Sequence, residues 1–489
     1  MLFNSPLFLF VFLPICLVGF RLLARLSWSG ALAFLTVASV VFYAWWDPIH
    51  SWPMVLSICA NYAFGLALIR LRDGGWGGPV LILGVGLNLA LLGWFKYAGF
   101  FATTLNQLAG FEFEVASSLI PLGISFFTFT QIAYLVDVRR REASEPGMVN
   151  YALFVTFFPH LIAGPIIHHK EMMPQFGSRK RASFNEDLAA GSAMFIIGLG
   201  KKLLLADPVV KYVTGAFTTS ALGEPLGMIE AWQAALAYTV QIYFDFSAYS
   251  DMALGLARMF GIDLPVNFNS PYKSRNIIEF WRRWHMTLSR FLRDYLYFSL
   301  GGNRRGPWRR QINLMLVMLI GGLWHGAAWT FIIWGGLHGI YLVINHLWRE
   351  WRGEGKGGAL AQTASWALTL LAVVVAWVFF RAHSLGAALG MLAGMAGLHG
   401  LSSGSGGVAA TSWQGLATVA GLLVISLVAP NSQQIMRLCH PGLAKVADPE
   451  HFGRLAWRPT PLWAVALAVL TVISVFSLWS PTEFLYYQF

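Results

Sequence analysis

Apolar stretches of about twenty residues recur from one end of this 489-residue chain to the other, and no other feature restricts its possible folds so strongly. A helix rises about 1.5 Å per residue and the hydrocarbon layer of a bilayer is roughly 30 Å thick, so a span needs about 20 mostly apolar residues. Candidate spans fall at 7–24, 30–46, 52–69, 79–97, 117–136, 149–168, 188–206, 229–250, 311–323, 327–348, 364–380, 412–430 and 461–479. With 56% hydrophobic and only 12% charged residues, the chain lacks the roughly one quarter of charged residues usual in a soluble domain. An all-α, polytopic transmembrane helical protein with eleven to thirteen crossings is expected. Several spans are short or interrupted by Gly, Pro or His; some are expected to be re-entrant, which requires protein or water to satisfy the opened backbone.

The charged residues give an orientation. Arg21 and Arg25 follow the first span, Arg70 and Arg72 the third, and Arg139 to Arg141 the fifth. By the positive-inside rule these exits are cytoplasmic, which places the N-terminus outside. The opening MLFNSPLFLF has no early Lys or Arg, so no cleaved signal peptide is expected and the first helix stays. Net charge is +11, which suits anionic lipid headgroups or an anionic cytoplasmic substrate; no nucleic-acid motif accompanies it. Cys16, Cys59 and Cys439 lack metal-ligand spacing, so neither a disulfide framework nor a zinc site is expected.

Composition divides the chain into three parts. Residues 1–136 are plain apolar hairpins, 137–348 are rich in polar and aromatic residues, and 349–489 return to the first style after RGEGKGG (352–358) and LSSGSGG (401–407). Function is sought in the middle part, because polar groups at membrane depth are costly and are kept for a purpose. There, FFPHLIAGPIIHHKEMMPQF (157–176) holds Pro159, Gly164 and Pro165, which predict a bent or re-entrant segment. Its His160, His168 and His169 lack the helical i, i+4 pattern of a metal site, so no metal is expected. Asp245 and Asp251 lie six residues apart in a predicted span, so they point about 240° apart on a helix. They are not a carboxylate pair; a structural role bonding a tyrosine or Arg258 is favoured over a chemical one. Pro271 in NFNSPY marks an ordered loop.

EFWRRWHMTLSRFLRDYLYF (279–298) reads as one amphipathic helix. At 100° per residue, Arg282, Arg283, Arg290 and Arg293 fall in a sector about 100° wide, opposite Phe280, Trp284, Leu288, Phe291 and Tyr295. Residues 268–310 carry ten Lys plus Arg against two acidic residues, which makes the segment cytoplasmic. Such a helix can lie in the interface as a headgroup anchor, or its guanidinium face can receive a phosphorylated donor carrier. His285 sits at the edge of the apolar side. Downstream, GGLWHGAAWTFIIWGGLHG (321–339) places His325 beside Gly321, Gly322 and Gly326, at a break or constriction, with His338 one helix further on. A neutral imidazole there can serve as a general base, and histidines inside bundles also simply join helices.

WRRWH (281–285), LWHG (323–326), SAYSDMALGLARMFGI (247–262), FNSPYK (268–273) and PHLIAGPI (159–166), in this order relation along most of the chain, resemble the membrane-bound O-acyltransferase family, and most closely its bacterial, alginate-acetylating branch. The resemblance implies a ring of tilted helices around a thin central tunnel. It implies catalytic His325, with His285 across the tunnel, and His338, Trp324, Asp251 and Asn269 as accessory or tunnel-lining residues. It further implies acetyl-coenzyme A as donor substrate, its phosphates on the arginine face, with no bound cofactor. The acceptor would be an exported polysaccharide, alginate first, reached through a periplasmic acetyl-transferring partner from a bacterial inner membrane. Cellulose or peptidoglycan acetylation and D-alanyl transfer to teichoic acid would use the same motifs. A transporter or export scaffold is the alternative from another class, although the internal repeats common in transporters are missing from the sequence.

Overall fold

The structure, a computed structural model, describes residues 1–489 apart from 46, 72–73, 114–119, 146, 178–182, 354–356, 403–411, 438–454, 480–484 and 486–489. Cys439, Arg72 and the aromatic tail from Phe484, apart from Leu485, therefore lie outside the described residues. Among the described residues there is no β-strand. The first helices are α1 (Leu13–Leu26), α2 (Trp28–Ala44), α3 (Trp52–Leu71), α4 (Gly77–Leu92), α5 (Ala98–Ala109) and α6 (Ile124–Arg139). The middle of the chain forms α7 (Met148–Thr156), α8 (Phe158–Leu161), α9 (His169–Phe176), α10 (Phe184–Gly200), α11 (Val210–Ala221), α12 (Met228–Met259), α13 (Ile277–Arg283), α14 (Met286–Phe291), α15 (Pro307–His325) and α16 (Trp329–Arg352). The remainder forms α17 (Ala359–Arg381), α18 (Leu385–Met395), α19 (Trp413–Val428), α20 (Ser432–Ile435) and α21 (Pro461–Ser477).

Six helical stretches are long and apolar enough to cross a membrane: Phe8–Leu26, Trp52–Leu71, Gly77–Ala109, Phe184–Ala221, Trp329–Arg352 and Ala359–Arg381. Shorter apolar helices α2, α18, α19 and α21 accompany them. The chain is a multi-pass helical membrane protein. Its longest helix, α12, is too polar to stand among those six, yet nearly every residue on it is buried. Neighbours α10, α11, α17, α18 and α19 all pack on it, so its polar groups meet protein rather than lipid.

Two lysines satisfy the two aspartates of α12, Asp245 and Asp251. Both come from a π-helical turn, Lys201–Ala206, that continues α10. Lys202 Nζ lies 2.7 Å from Asp245 and 2.7 Å from Asp207, while Lys201 Nζ lies 2.6 Å from Asp251. The partners expected from the sequence, a tyrosine or Arg258, are replaced by these lysines; Arg258 instead pairs with Asp187 and Asp263.

The segment 157–176 leaves helix at Phe157 and again after Leu161, then runs to α9 without regular structure. Its turn is held by Ile166 N, which donates to Thr287 Oγ1 at 2.9 Å. A larger departure from expectation occurs at 279–298, which is not one helix. The chain turns extended at Trp284 and left-handed at His285, whose φ is +40°, and then resumes as α14 and a π-helical turn, Leu292–Tyr297. A strand-like loop explains the break: Asn269 N donates to Arg283 O at 2.9 Å and Met286 N donates to Asn267 O at 2.9 Å. Loop backbone thus takes hydrogen bonds that a continuous helix would make with itself.

Two glycines set the hairpin of α15 and α16. A methyl group on Gly322 would overlap the carbonyl oxygen of Phe331, and one on Gly335 would overlap that of Met318. Only hydrogen at these positions lets the two backbones approach, as small residues do at membrane helix contacts generally.

Candidate active site

α15 ends at His325, and Gly326 continues extended, with φ −161° and ψ 150°. The imidazole sits in a nest of rings, with centroid distances of 4.9 Å to Trp324, 5.1 Å to Trp334 and 5.1 Å to Phe380. His285 faces it at 6.4 Å. A cavity of about 10 Å³ borders His325; it is lined also by Ile242, Phe246, Trp284, Trp377, Phe380 and Leu485. That is room for about one water. His325 keeps 6% of its surface exposed, against 0% for His285.

The left-handed turn at His285 is what aims its ring inward. Asn267 Oδ1 lies 3.1 Å from His285 Nδ1 and also accepts from Thr287 N at 3.3 Å and Thr287 Oγ1 at 3.0 Å. An amide oxygen only accepts, so the neutral ring carries its proton on Nδ1 and leaves Nε2 with a lone pair. Nε2 has no protein partner, and neither has His325 Nδ1. His325, on the cavity wall, and His285, 6.4 Å from it, each keep an uncommitted nitrogen, and such nitrogens can move a proton to or from a reacting group.

The other expected site residues are dispersed. His338 is fully buried, boxed by Phe280, Trp281 and Trp334 at centroid distances of 6.0, 5.1 and 4.9 Å, with both ring nitrogens unpartnered. Trp334 contacts both His325 and His338 and so stands between them. Trp324 turns away from the cavity lining and stacks on Phe129 at 5.4 Å. Asp251 is bound to Lys201, Ser432 and Gln433, and Asn269 to Asn431; neither lines the cavity.

Because the 279–298 helix is broken, its arginines do not form one free face. Arg290 makes a bidentate pair with Glu171, at 2.5 and 2.8 Å, Arg283 pairs with Glu279 at 2.9 Å, and Arg293 with Asp294 at 2.7 Å. Arg282 is exposed. The histidines of the bent segment have partners of their own. His168 Nδ1 lies 3.0 Å from the Tyr295 hydroxyl, which donates to Asp137 at 2.8 Å, and His169 packs on Tyr134. Burial pushes both imidazoles down to about 4, helped at His168 by the Arg290 charge. Among the described residues no three His, Cys, Asp or Glu side chains are grouped to hold a metal ion.

Sequence reading missed several residues of the site. Asn267 stands two positions before the expected Asn269 in the same motif, and the lining residues Trp377 and Leu485 carry no local signal at all. Lys96 and Tyr97 were also passed over, in a span read as plain; Lys96 Nζ reaches the carbonyls of Trp324 at 2.7 Å and His325 at 3.2 Å. A lysine inside an apolar stretch was the signal that could have found them.

The described residues thus form a helical membrane protein with two neighbouring buried histidines, one of them on the wall of a water-sized space. Its residues 105–380 match the membrane-bound O-acyltransferase family. The chain is 43% identical to the peptidoglycan O-acetyltransferase of Helicobacter pylori, over 82% of this chain and 81% of that one. It is 42% identical to the probable alginate O-acetylase of Pseudomonas aeruginosa, over 79% and 73% of the two chains. With the teichoic acid D-alanyltransferase of Streptococcus thermophilus it shares 29% identity over 46% and 57%. The chain belongs to the membrane-bound O-acyltransferase family, in its alginate O-acetylase-like branch, and is an acyltransferase.

Proposed function

We propose that this protein transfers acetyl groups from cytoplasmic acetyl-coenzyme A toward a hydroxyl of an exported polysaccharide, with His325 as general base. The observation that carries the reading is the pairing of His325, on the wall of the small cavity, with His285, whose ring centroid lies 6.4 Å away. His325 takes the proton of the acceptor hydroxyl as its oxygen attacks the thioester carbonyl. Collapse of the tetrahedral adduct breaks the C–S bond, and the thiolate leaves with the proton held by the imidazole. A hydroxyl has one proton, so the lone pair on His285 Nε2, its Nδ1–H committed to Asn267, is an alternative acceptor for that proton rather than a second, simultaneous one. The size of the cavity supports an acetyl group over longer acyl chains, since a space for about one water admits little beyond a methyl group.

The polymer is an exported glycan, with alginate and peptidoglycan as the two acceptors that the names of similar proteins favour. The membrane is the bacterial inner membrane with the N-terminus outward, supported by the arginines in the last turns of α1, α3 and α6 and by the basic segment ahead of α15. A periplasmic partner would carry the acetyl group onward from the face opposite that basic segment. The exposed Arg282 is left from the expected set as a contact for the donor's phosphates.

The test is transfer of label from acetyl-coenzyme A by the purified protein to alginate or peptidoglycan oligosaccharides, with and without a periplasmic extract. His325→Ala is expected to lower turnover by about 10² to 10⁴. Equal turnover in the variant, or no transfer from the wild type to any glycan, overturns the reading.

A further inference from the structure

We infer that Lys96 and Tyr97 are positioning residues for His325: together they clamp the carbonyl end of α15, the helix whose last residue is that histidine. This rests on the acetyl-transfer reading above. Tyr97 Oη donates to Leu323 O at 2.9 Å, and Lys96 Nζ donates to Trp324 O at 2.7 Å, to His325 O at 3.2 Å and to Ser125 Oγ at 3.1 Å. The last carbonyls of a helix have no partner within it and carry its partial negative charge. Here three successive carbonyls, those immediately leading to and including His325, are taken by two side chains from a segment 228 residues earlier in the sequence.

Lys96 Nζ thus has three oxygens within hydrogen-bonding distance, those of Ser125, Trp324 and His325. Lys96 is only 8% exposed, and among the described residues no carboxylate forms a salt bridge with it. The carbonyl end of α15 is what its amine faces. Lys96 and Tyr97 belong to a π-helical turn, Gly93–Tyr97, between α4 and α5. Its i→i+5 bonding widens the turn and narrows the angle between neighbours, which helps two consecutive side chains reach the same helix end; such turns recur at functional sites. Beyond His325 the backbone is extended, and the Gly326 N–H reaches Gly322 O only at 3.4 Å, so the helix's own hydrogen bonding holds this end weakly. The clamp supplies what that bond does not.

Lys96→Met keeps the length of the side chain and removes its amine, and Tyr97→Phe removes a hydroxyl. Misplacing a catalytic group by about 1 Å costs roughly 10²-fold in rate. For Lys96→Met a drop in kcat of about that size is expected in the folded protein, with the KM for acetyl-coenzyme A unchanged; for Tyr97→Phe a smaller drop of the same kind is expected. His325 is also a wall of the small cavity, so a loosened helix end relaxes its size limit. The ratio of propionyl to acetyl transfer therefore rises in both variants, a readout independent of the fraction of active molecules. Unchanged kcat and ratio overturn the inference. So does a lowered melting temperature with an unchanged ratio in the residual activity, which marks a purely architectural role. If Lys96→Met does not fold, the ratio in Tyr97→Phe decides. A wild type that transfers no acetyl group to any acceptor fails the acetyl-transfer reading itself, and is thereby distinguished from a failure of the clamp.

Discussion

At the scale of single residues, the site depends on which nitrogen carries a proton. Asn267 receives three donors at one amide oxygen, two of them from Thr287 and one from His285. Replacing it by leucine removes the acceptor that fixes the His285 tautomer, and either ring nitrogen can then take the proton. Asn267→Leu is expected to lower kcat by roughly 10²-fold through lost orientation, read in the labelled-transfer assay; wild-type turnover would refute the tautomer argument. His338 presents the opposite case. It makes no hydrogen bond and lies behind Trp334 from His325. His338→Phe, an apolar ring of similar shape, is therefore expected to change stability by less than about 1.5 kcal/mol, as thermal unfolding in detergent will report. A large loss of stability would show that the imidazole has a polar role in the fold that its present surroundings do not explain.

At the scale of elements, two adjacent glycines on α16 make contrasting predictions. A methyl group at Gly335 would overlap a backbone carbonyl of α15, which cannot move without separating the helices. At Gly336 the nearest atom is a side-chain methyl of Leu319 at 3.5 Å, an ordinary contact. Gly335→Ala is expected to destabilise by about 1–3 kcal/mol, whereas Gly336→Ala is expected to be neutral or to stabilise by up to about 1 kcal/mol. Equal melting temperatures for the two variants would contradict the packing described for the hairpin. The break at Trp284 and His285 belongs to the same scale. A non-glycine residue in the left-handed region costs roughly 1–2 kcal/mol, and here the loop at 267–269 offsets it with hydrogen bonds on either side. In return the break turns one histidine into the bundle and leaves the arginines before and after it to separate carboxylates.

At the scale of the molecule, the proposed orientation puts the basic loop ahead of α15 and the start of α18 at opposite membrane faces. α15 and α16 form a hairpin that returns to the starting side, and α17 crosses again. With the native cysteines removed, Trp308→Cys, at an exposed position in the first turn of α15 beside the basic loop, is expected to react with a membrane-impermeant thiol reagent only after cells are opened. Ser384→Cys, exposed after α17, is expected to react in intact spheroplasts. Labelling of both from one side would invalidate the proposed orientation. Burial inside the bundle also has a molecular scale: Asp245 binds Lys202 and accepts from the Leu485 backbone N–H at 3.2 Å. One carboxylate on the central helix thereby holds a residue near the chain's end against the His325 cavity.

The apolar runs by themselves determined that this chain is helical and embedded in a membrane, because a bilayer leaves a polypeptide few other ways to satisfy its backbone. Local spacing also pointed to the His325 break, where glycines flank a histidine, and to the bend at Pro159 and Pro165. Only the tertiary structure decided which polar groups share a space. Asn267 reaches His285 across 18 residues, Lys96 reaches the end of α15 across 228, and Arg290 meets Glu171 across 119. Contacts at such separations leave no periodicity in a sequence. The helical period that put four arginines on one face failed for the same reason: it assumes unbroken helix, and the hydrogen bonds that broke this one come from a loop elsewhere in the chain.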